Sequence, residues 1–215
     1  PALRDTTICM FDIDADRNNR NAKGVQRLLD LYDLPTKLEV TTDRETALRD
    51  ADFCICTFQV GGIEAYGYDV NIPRKYGVDQ CVGDTIGPGG IFRGLRSIEA
   101  LKVIAEDMKR LCPEAVFIQY ANPMGINSWA MSRLGITNVG LCHSVQGTSA
   151  MLAREAGLPY EECSFITAGI NHQAWLLRVT RDGDDLYPEI KRRALERPTP
   201  HGDQVRYEIM RRFGH

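Results

Sequence analysis

The sequence predicts an α/β protein with a Rossmann-like, doubly wound, mostly parallel sheet, followed by the start of a second α+β domain. Two observations predict it. Short, wholly apolar runs alternate with longer stretches of helical periodicity, which is the pattern of parallel strands joined by crossover helices. Beyond Cys163, two strand-like segments then follow one another as a second layer.

Thr7 to Phe11 is short and apolar, a buried strand ended by Asp12. Arg17 to Tyr32 is a helix, with Val25, Leu28, Leu29 and Tyr32 at i, i+3, i+4, i+7 spacing, Asp16 as N-cap and Pro35 beyond the end. Lys37 to Thr41 is a strand, Asp43 caps a brief helix through Leu48, and Phe53 to Phe58 is a fully apolar strand. Gly61 to Gly90 is glycine-rich with little periodicity, a loop long enough to be functional. Ile91 to Leu111 is a long helix whose apolar positions are Leu95, Ile98, Leu101, Val103, Ile104 and Met108. A strand from Ala115 to Tyr120, a helix from Asn127 to Leu134, a strand from Val139 to Leu141 and a helix from Thr148 to Gly157 follow. Cys163 to Ile166 and Ala174 to Val179 are strands, Asp182 to His201 is a linker or excursion, and Val205 to Phe213 is a helix. The domains expected are 1–142, the nucleotide-binding unit, and 143–215, the start of a second α+β domain.

Composition bounds the function. The chain has 215 residues, 43% hydrophobic and 26% charged, with a formal net charge of -3. That is an ordinary globular composition, and disorder, collagen and coiled coil are excluded as the main description. No basic field argues for nucleic acid, and no apolar run reaches the roughly 18 residues of a membrane span. The opening residues Pro1 to Asp5 do not read as a signal peptide. Seven cysteines, several inside apolar strands and none in a C-x-x-C pair, fit a reducing cytoplasm.

One feature of the pattern is incomplete. In a dinucleotide-binding unit the ribose-binding acid lies about 20 residues after a glycine fingerprint. Asp12 has eleven residues before it and none is glycine. The first strand and its phosphate turn are therefore absent from the pattern. The chain is expected to be an incomplete copy of a longer protein, with unpaired backbone on the two strands flanking the gap.

The candidate site residues sit at strand ends. Asp12 can accept from ribose hydroxyls and disfavours a 2′-phosphate, which argues for NAD; a helix cap or turn acid is the alternative. Gln59 precedes Gly61-Gly62, where backbone can approach a ligand, or simply turn. Asp84 lies in Asp84-Thr85-Ile86-Gly87-Pro88-Gly89-Gly90 before the long helix, able to bond a sugar hydroxyl or to stiffen a connector. Asn122, before Pro123, can donate to and accept from a polyol or cofactor amide, or serve as a turn residue. Cys142 and His172 are 30 residues apart, since 172 − 142 = 30, and both fall at strand ends. A thiolate and an imidazole can hold a divalent metal and leave positions open for substrate; a buried thiol and a capped histidine are the alternative.

In this order the motifs resemble glycoside hydrolase family 4, the NAD- and divalent-metal-dependent glycosidases. The resemblance rests on Phe11-Asp12-Ile13-Asp14, Phe58-Gln59-Val60-Gly61-Gly62, Gly83-Asp84-Thr85-Ile86-Gly87-Pro88-Gly89-Gly90-Ile91, Asn122-Pro123, Gly140-Leu141-Cys142-His143-Ser144-Val145-Gln146-Gly147, Gly169-Ile170-Asn171-His172 and Val205-Arg206-Tyr207-Glu208. The stretch Cys142-His143-Ser144-Val145 is similar to the α-galactosidase (melibiase-like) branch. The resemblance implies a route unlike the usual pair of carboxylates. NAD oxidises sugar C3, a metal (usually Mn2+) steadies the resulting enolate, the C2 proton is removed, the glycosidic oxygen leaves, water adds, and the hydride returns.

By the same resemblance Cys142 and His172 would be metal ligands, and His143 a candidate acid beside the leaving oxygen. Asn122 and Asp84 would touch the sugar, Asp12 would hold the adenosine ribose, and Gln59 would lie along the cofactor. A galactoside would be the small-molecule substrate, and a homodimer or homotetramer the assembly. Family members acting on α-glucosides, α-glucuronides or α-galacturonides are alternatives, as are a lactate/malate-type NAD dehydrogenase and a non-catalytic sugar- or dinucleotide-binding fragment. The family's glycine-rich turn and its tyrosine base, in a segment after the last helix, are not in these 215 residues. The chain alone is thus expected not to turn over substrate, and α-galactosidase activity from it by itself would refute that.

Overall fold

The computed structural model describes residues 5–80, 83, 85–196 and 204–214. The chain opens with strand β1 (Thr7–Phe11), helix α1 (Ala15–Leu31) and strand β2 (Lys37–Thr41), the two strands pairing in parallel from Thr7 against Lys37 to Phe11 against Thr41. The cap of α1 is Asp14, whose carboxylate accepts the Arg17 N–H at 2.9 Å, so the helix starts two residues before the expected Arg17. Its buried residues are Asn18, Ala22 and Leu29, a narrower stripe than expected, while Leu28 and Tyr32 are exposed. Asn18 ties the unit together. Its amide donates to Met10 O at 3.0 Å and Thr41 O at 2.9 Å, joining the carboxyl ends of both strands.

Helix α2 (Arg44–Leu48), capped by Asp43, leads to strand β3 (Phe53–Cys56). Helix α3 (Gly62–Lys75) then occupies much of the segment expected as a loop. Glycines at 62 and 67 and a proline at 73 hid it, because each lowers intrinsic helix propensity. Tertiary contacts override that preference: buried Asp69 forms a two-pronged ion pair with Arg96, at 2.9 and 2.5 Å.

Arg96 belongs to helix α4 (Gly87–Leu111), which begins four residues before the expected Ile91. Its buried face runs Gly90, Gly94, Ser97, Leu101, Ala105, Met108 at helical spacing. Leu95 and Val103, expected on that face, are exposed because they fall off the stripe. Strand β4 (Val116–Gln119), helix α5 (Met124–Arg133) and strand β5 (Asn138–Gly140) complete this layer, each within three residues of its expected bounds.

Strands β3, β4 and β5 form one parallel sheet in that order, and β1 and β2 another. The expected doubly wound sheet is therefore divided into two ladders among the described residues. Neither β1 nor β3 has a second strand partner there. Strand β3 ends two residues before the expected Phe58, and its residues alternate in burial. Cys56 is buried and Cys54 packs beside it against the core, but Phe53 and Ile55 on the opposite face are 59% and 64% exposed. Strand β1, expected to be buried, has no buried residue: Thr7 and Ile8 are exposed and Cys9 to Phe11 half-buried, because its cover among the described residues lies on one side. The core of this layer is Leu48, Cys56, Leu101, Ala105, Met108, Phe117, Met131 and neighbours.

Helix α6 (Ser144–Ala156) begins four residues before the expected Thr148, and a single 3₁₀ turn follows at Tyr160–Glu162. Strands β6 (Ser164–Ile170), β7 (Gln173–Arg181) and β8 (Asp184–Asp185) make an antiparallel sheet. Helices α7 (Tyr187–Glu196) and α8 (Gln204–Phe213) close the chain. Part of the expected linker is thus helix α7. Its signal is local: Pro188 in the first turn, with Tyr187, Ile190 and Ala194 spaced to face one side. Those residues join Leu152, Ala156, Leu176, Val179 and Met210 in a second core. No described helix is long and apolar enough to cross a membrane.

Candidate metal centre

Cys142 lies between β5 and the first turn of α6. Leu141 N–H donates to Gln119 O at 3.0 Å, so the β4–β5 ladder continues to the residue before the cysteine. Gly140 lets the Met124 side chain of α5 lie close against β5, since an added Cβ would meet Met124 Sδ at 2.1 Å. His172 lies in the two-residue turn that joins β6 to β7, where Ile170 pairs with Gln173. Its φ is 62°, the left-handed region that non-glycine residues uncommonly adopt. Backbone strain of this kind concentrates at functional positions.

The two side chains meet. Cys142 Sγ and His172 Nε2 are 3.4 Å apart. Bonds of about 2.3 Å from sulfur and about 2.1 Å from nitrogen to one cation, opened at about 100°, leave the donors about 3.4 Å apart. The donor set therefore fits a divalent metal. Among the described residues no group of three or more His, Cys, Asp and Glu side chains gathers around a point. A cation on this pair keeps positions open to small-molecule oxygens, as catalytic metals do and structural ones do not.

The sulfur is prepared as a thiolate. Burial pushes its pKa up, but hydrogen bonds outweigh burial. They come from Ser144 Oγ at 3.4 Å, the Ser144 N–H, the Asn171 amide and His172, and hold Cys142 down to about 6. The Ser144 N–H is free to donate because it belongs to the first turn of α6, where backbone donors lack intrahelical partners. Asn171 has a second property: its Oδ1 is buried and has no hydrogen-bond partner.

A cavity of about 910 Å³ opens over the pair. Cys142, His172, Ser144, Asn171, Trp175 and Arg206 are among its lining residues. The size suits a small organic ligand. Trp175 stands edge-on to Phe213, with centroids 5.9 Å apart, and Arg206 donates to Thr148 Oγ1 at 3.1 Å. Ser144, Asn171 and Arg206 were within the motifs quoted above, but no periodicity or spacing singled them out; Trp175 had no signal at all.

The other expected residues lie elsewhere. His143 is the N-cap residue of α6, exposed, with its ring facing Tyr120 at a centroid distance of 6.1 Å. It does not line the cavity, and neither do Asn122, Gln59 and Asp12. Asn122 Oδ1 accepts from Met124 N–H at 3.4 Å, while its backbone carbonyl accepts from Arg93 Nε at 3.1 Å. Gln59 Nε2 donates to Gly62 O at 2.8 Å, at the start of α3. Asp12 sits at the carboxyl end of β1, bound by Arg17 at 2.6 and 2.5 Å and by Asp14 N–H at 3.0 Å. The hydrogen bonds from Arg17 are the main reason its pKa is lowered. Asp84 lies outside the described residues.

Parallel strands with crossover helices, followed by an antiparallel sheet that delivers a histidine to a strand-end cysteine, define a Rossmann-like α/β chain with an open two-donor centre. The chain belongs to the family 4 glycosyl hydrolases. The family description Family 4 glycosyl hydrolase matches residues 1–158, and Family 4 glycosyl hydrolase C-terminal domain matches residues 167–215. An α-galactosidase of Bacillus subtilis (strain 168) is 43% identical over 217 residues, covering 100% of this chain and 50% of the relative. An α-galactosidase of Rhizobium meliloti (strain 1021) is 39% identical over 219 residues, covering 100% and 44%. The chain thus spans about half the length of the curated relatives it matches. A crystal structure of a 6-phospho-α-glucosidase from gut microorganisms, in complex with NAD and Mn2+, superimposes with a TM-score of 0.82 at 25% identity, over 97% of this chain and 51% of that one.

Proposed function

We propose that the protein hydrolyses α-galactosides with NAD and a divalent metal, Mn2+ first among them, and that this chain supplies the metal-holding part of the machinery. The observation that carries the reading is the 3.4 Å approach of Cys142 Sγ to His172 Nε2 in the lining of a cavity of about 910 Å³. The α-galactosidases at 43% and 39% identity support galactosides as the substrate class.

When bound, NAD would take a hydride from the sugar and return it, and the cation would draw charge from sugar oxygens. Cys142 and His172 would hold that cation. The thiolate needs no proton removed at neutral pH, because the hydrogen bonds around it have already lowered its pKa. Trp175 offers an apolar edge to a sugar face, and Arg206 a cation to its hydroxyls. His143, one residue from the metal sulfur, would give a proton to the leaving glycosidic oxygen after turning from Tyr120. Asn122 and Asp84 would orient sugar hydroxyls. Asp12 would hold the adenosine ribose, with Arg17 sharing its carboxylate, and Gln59 would lie along the cofactor.

The full-length protein is expected to release p-nitrophenol from p-nitrophenyl α-galactoside only with NAD, Mn2+ and reductant present. Undiminished hydrolysis after exhaustive chelation and removal of NAD would sink the reading.

A further inference from the structure

We propose that Ser144 and Asn171 are positioning residues that set the cation preference of the Cys142–His172 pair, biasing it away from zinc and toward a harder ion such as manganese. The inference rests on the metal reading above and extends it from which residues bind to what they select.

A thiolate and an imidazole are by nature a poor choice for manganese. Sulfur is soft, and the intrinsic affinity order of divalent metals puts Mn2+ lowest and Zn2+ near the top. A Cys–His site that is to hold manganese therefore needs something that lowers the zinc advantage. Hydrogen bonds to a coordinating sulfur do this. They draw charge from the lone pairs that form the covalent part of the metal–sulfur bond, on which zinc depends more than manganese does.

The structure surrounds Cys142 with such donors on two sides. Ser144 approaches with its hydroxyl at 3.4 Å and with its backbone N–H, both fixed by the first turn of α6. Asn171 stands beside His172 in the β6–β7 turn and lines the same cavity as Cys142, with its amide as the second donor. The Asn171 Oδ1 is buried without a partner, so the contact with sulfur is not a by-product of an amide anchored at its other end. An asparagine kept only to build the turn would have its carbonyl satisfied by the turn backbone. Neither residue needs to touch the cation; both act through the sulfur.

The test is competitive calorimetry with Mn2+ and Zn2+ on the purified protein and on Ser144→Ala, Ser144→Thr and Asn171→Leu. Outer-shell partners typically change metal affinity by about 10–100-fold. Ser144→Ala and Asn171→Leu are expected to raise the ratio of Zn2+ to Mn2+ affinity by about tenfold, in line with that range. Ser144→Thr, which keeps the hydroxyl, should hold the wild-type ratio. With Co2+ as probe, the sulfur-to-cobalt absorption should strengthen in Ser144→Ala and Asn171→Leu, a signature that a purely structural role would not move. An unchanged ratio and spectrum in variants that still bind overturns this inference alone. Failure of the wild-type protein to bind either cation overturns the metal reading, and this inference with it.

Discussion

His172 brings its Nε2 to within 3.4 Å of Cys142 Sγ from a backbone φ of 62°, thirty residues further along the chain. The turn that carries it would be easier to form with glycine. A non-glycine residue in the left-handed region costs about 1–2 kcal/mol. His172→Gly relieves that cost but gives the unfolded chain more freedom, which takes back about 0.4–1 kcal/mol. The variant is expected to gain about 0.5–1 kcal/mol in urea unfolding while losing Mn2+ binding in calorimetry. A less stable variant that still bound Mn2+ would contradict both halves.

The cysteines should separate sharply by reactivity. Burial pushes Cys54 up to about 11 and Cys56 up to about 12, so both stay as inert thiols at neutral pH. Cys142, at about 6, is mostly thiolate at pH 7. Iodoacetamide followed by peptide mass mapping is expected to label Cys142 well before Cys54 and Cys56. Labelling should slow as pH falls through about 6, and Mn2+ should protect. The sign for stability follows from the same shift. The folded pKa lies below the ordinary 9.0, so the contribution is complete above about 9 and lost as pH drops through about 6.

One buried ion pair joins α3 to α4, beside a cation–π contact of Arg93 with Tyr66. Asp69 is 2% exposed at its side chain and Arg96 is 32% exposed. Arg96→Leu leaves a buried carboxylate without its cation, a change expected to cost about 3–5 kcal/mol. Asp69→Leu with Arg96→Leu removes both charges and should recover most of that loss in thermal unfolding. Equal loss in the single and double variants would show that the helices are held by packing instead.

Close approach, not turn geometry, demands glycine at position 90. An added Cβ there would meet the Thr85 carbonyl carbon at 2.6 Å and its oxygen at 2.8 Å. These are backbone atoms of the turn that leads into α4 and cannot swing aside as a side chain would. Gly90→Ala is expected to lose about 1–3 kcal/mol from overpacking, despite alanine's better helix propensity. A Tm equal to the wild type would mean that the 85–90 segment yields freely.

The amino-acid sequence by itself determined the alternation of strands and helices, the cap at Asp43, the parallel class of the first layer and the places where Cys142 and His172 leave their strands. These are local matters of apolar period, capping side chains and proline, and each is readable within a dozen residues. Tertiary structure alone decided the rest. It made a helix of the glycine-rich Gly62–Lys75, because Asp69 finds Arg96 on another element. It left Phe53 and Ile55 bare on one face of β3, gave Asp12 to Arg17 and turned His143 toward Tyr120. It also gathered Ser144 and Asn171 around one sulfur. The physical reason is range: a cap or a period acts over a few residues. An ion pair, an open sheet face or a metal centre depends on the distance between segments that the chain's order does not encode.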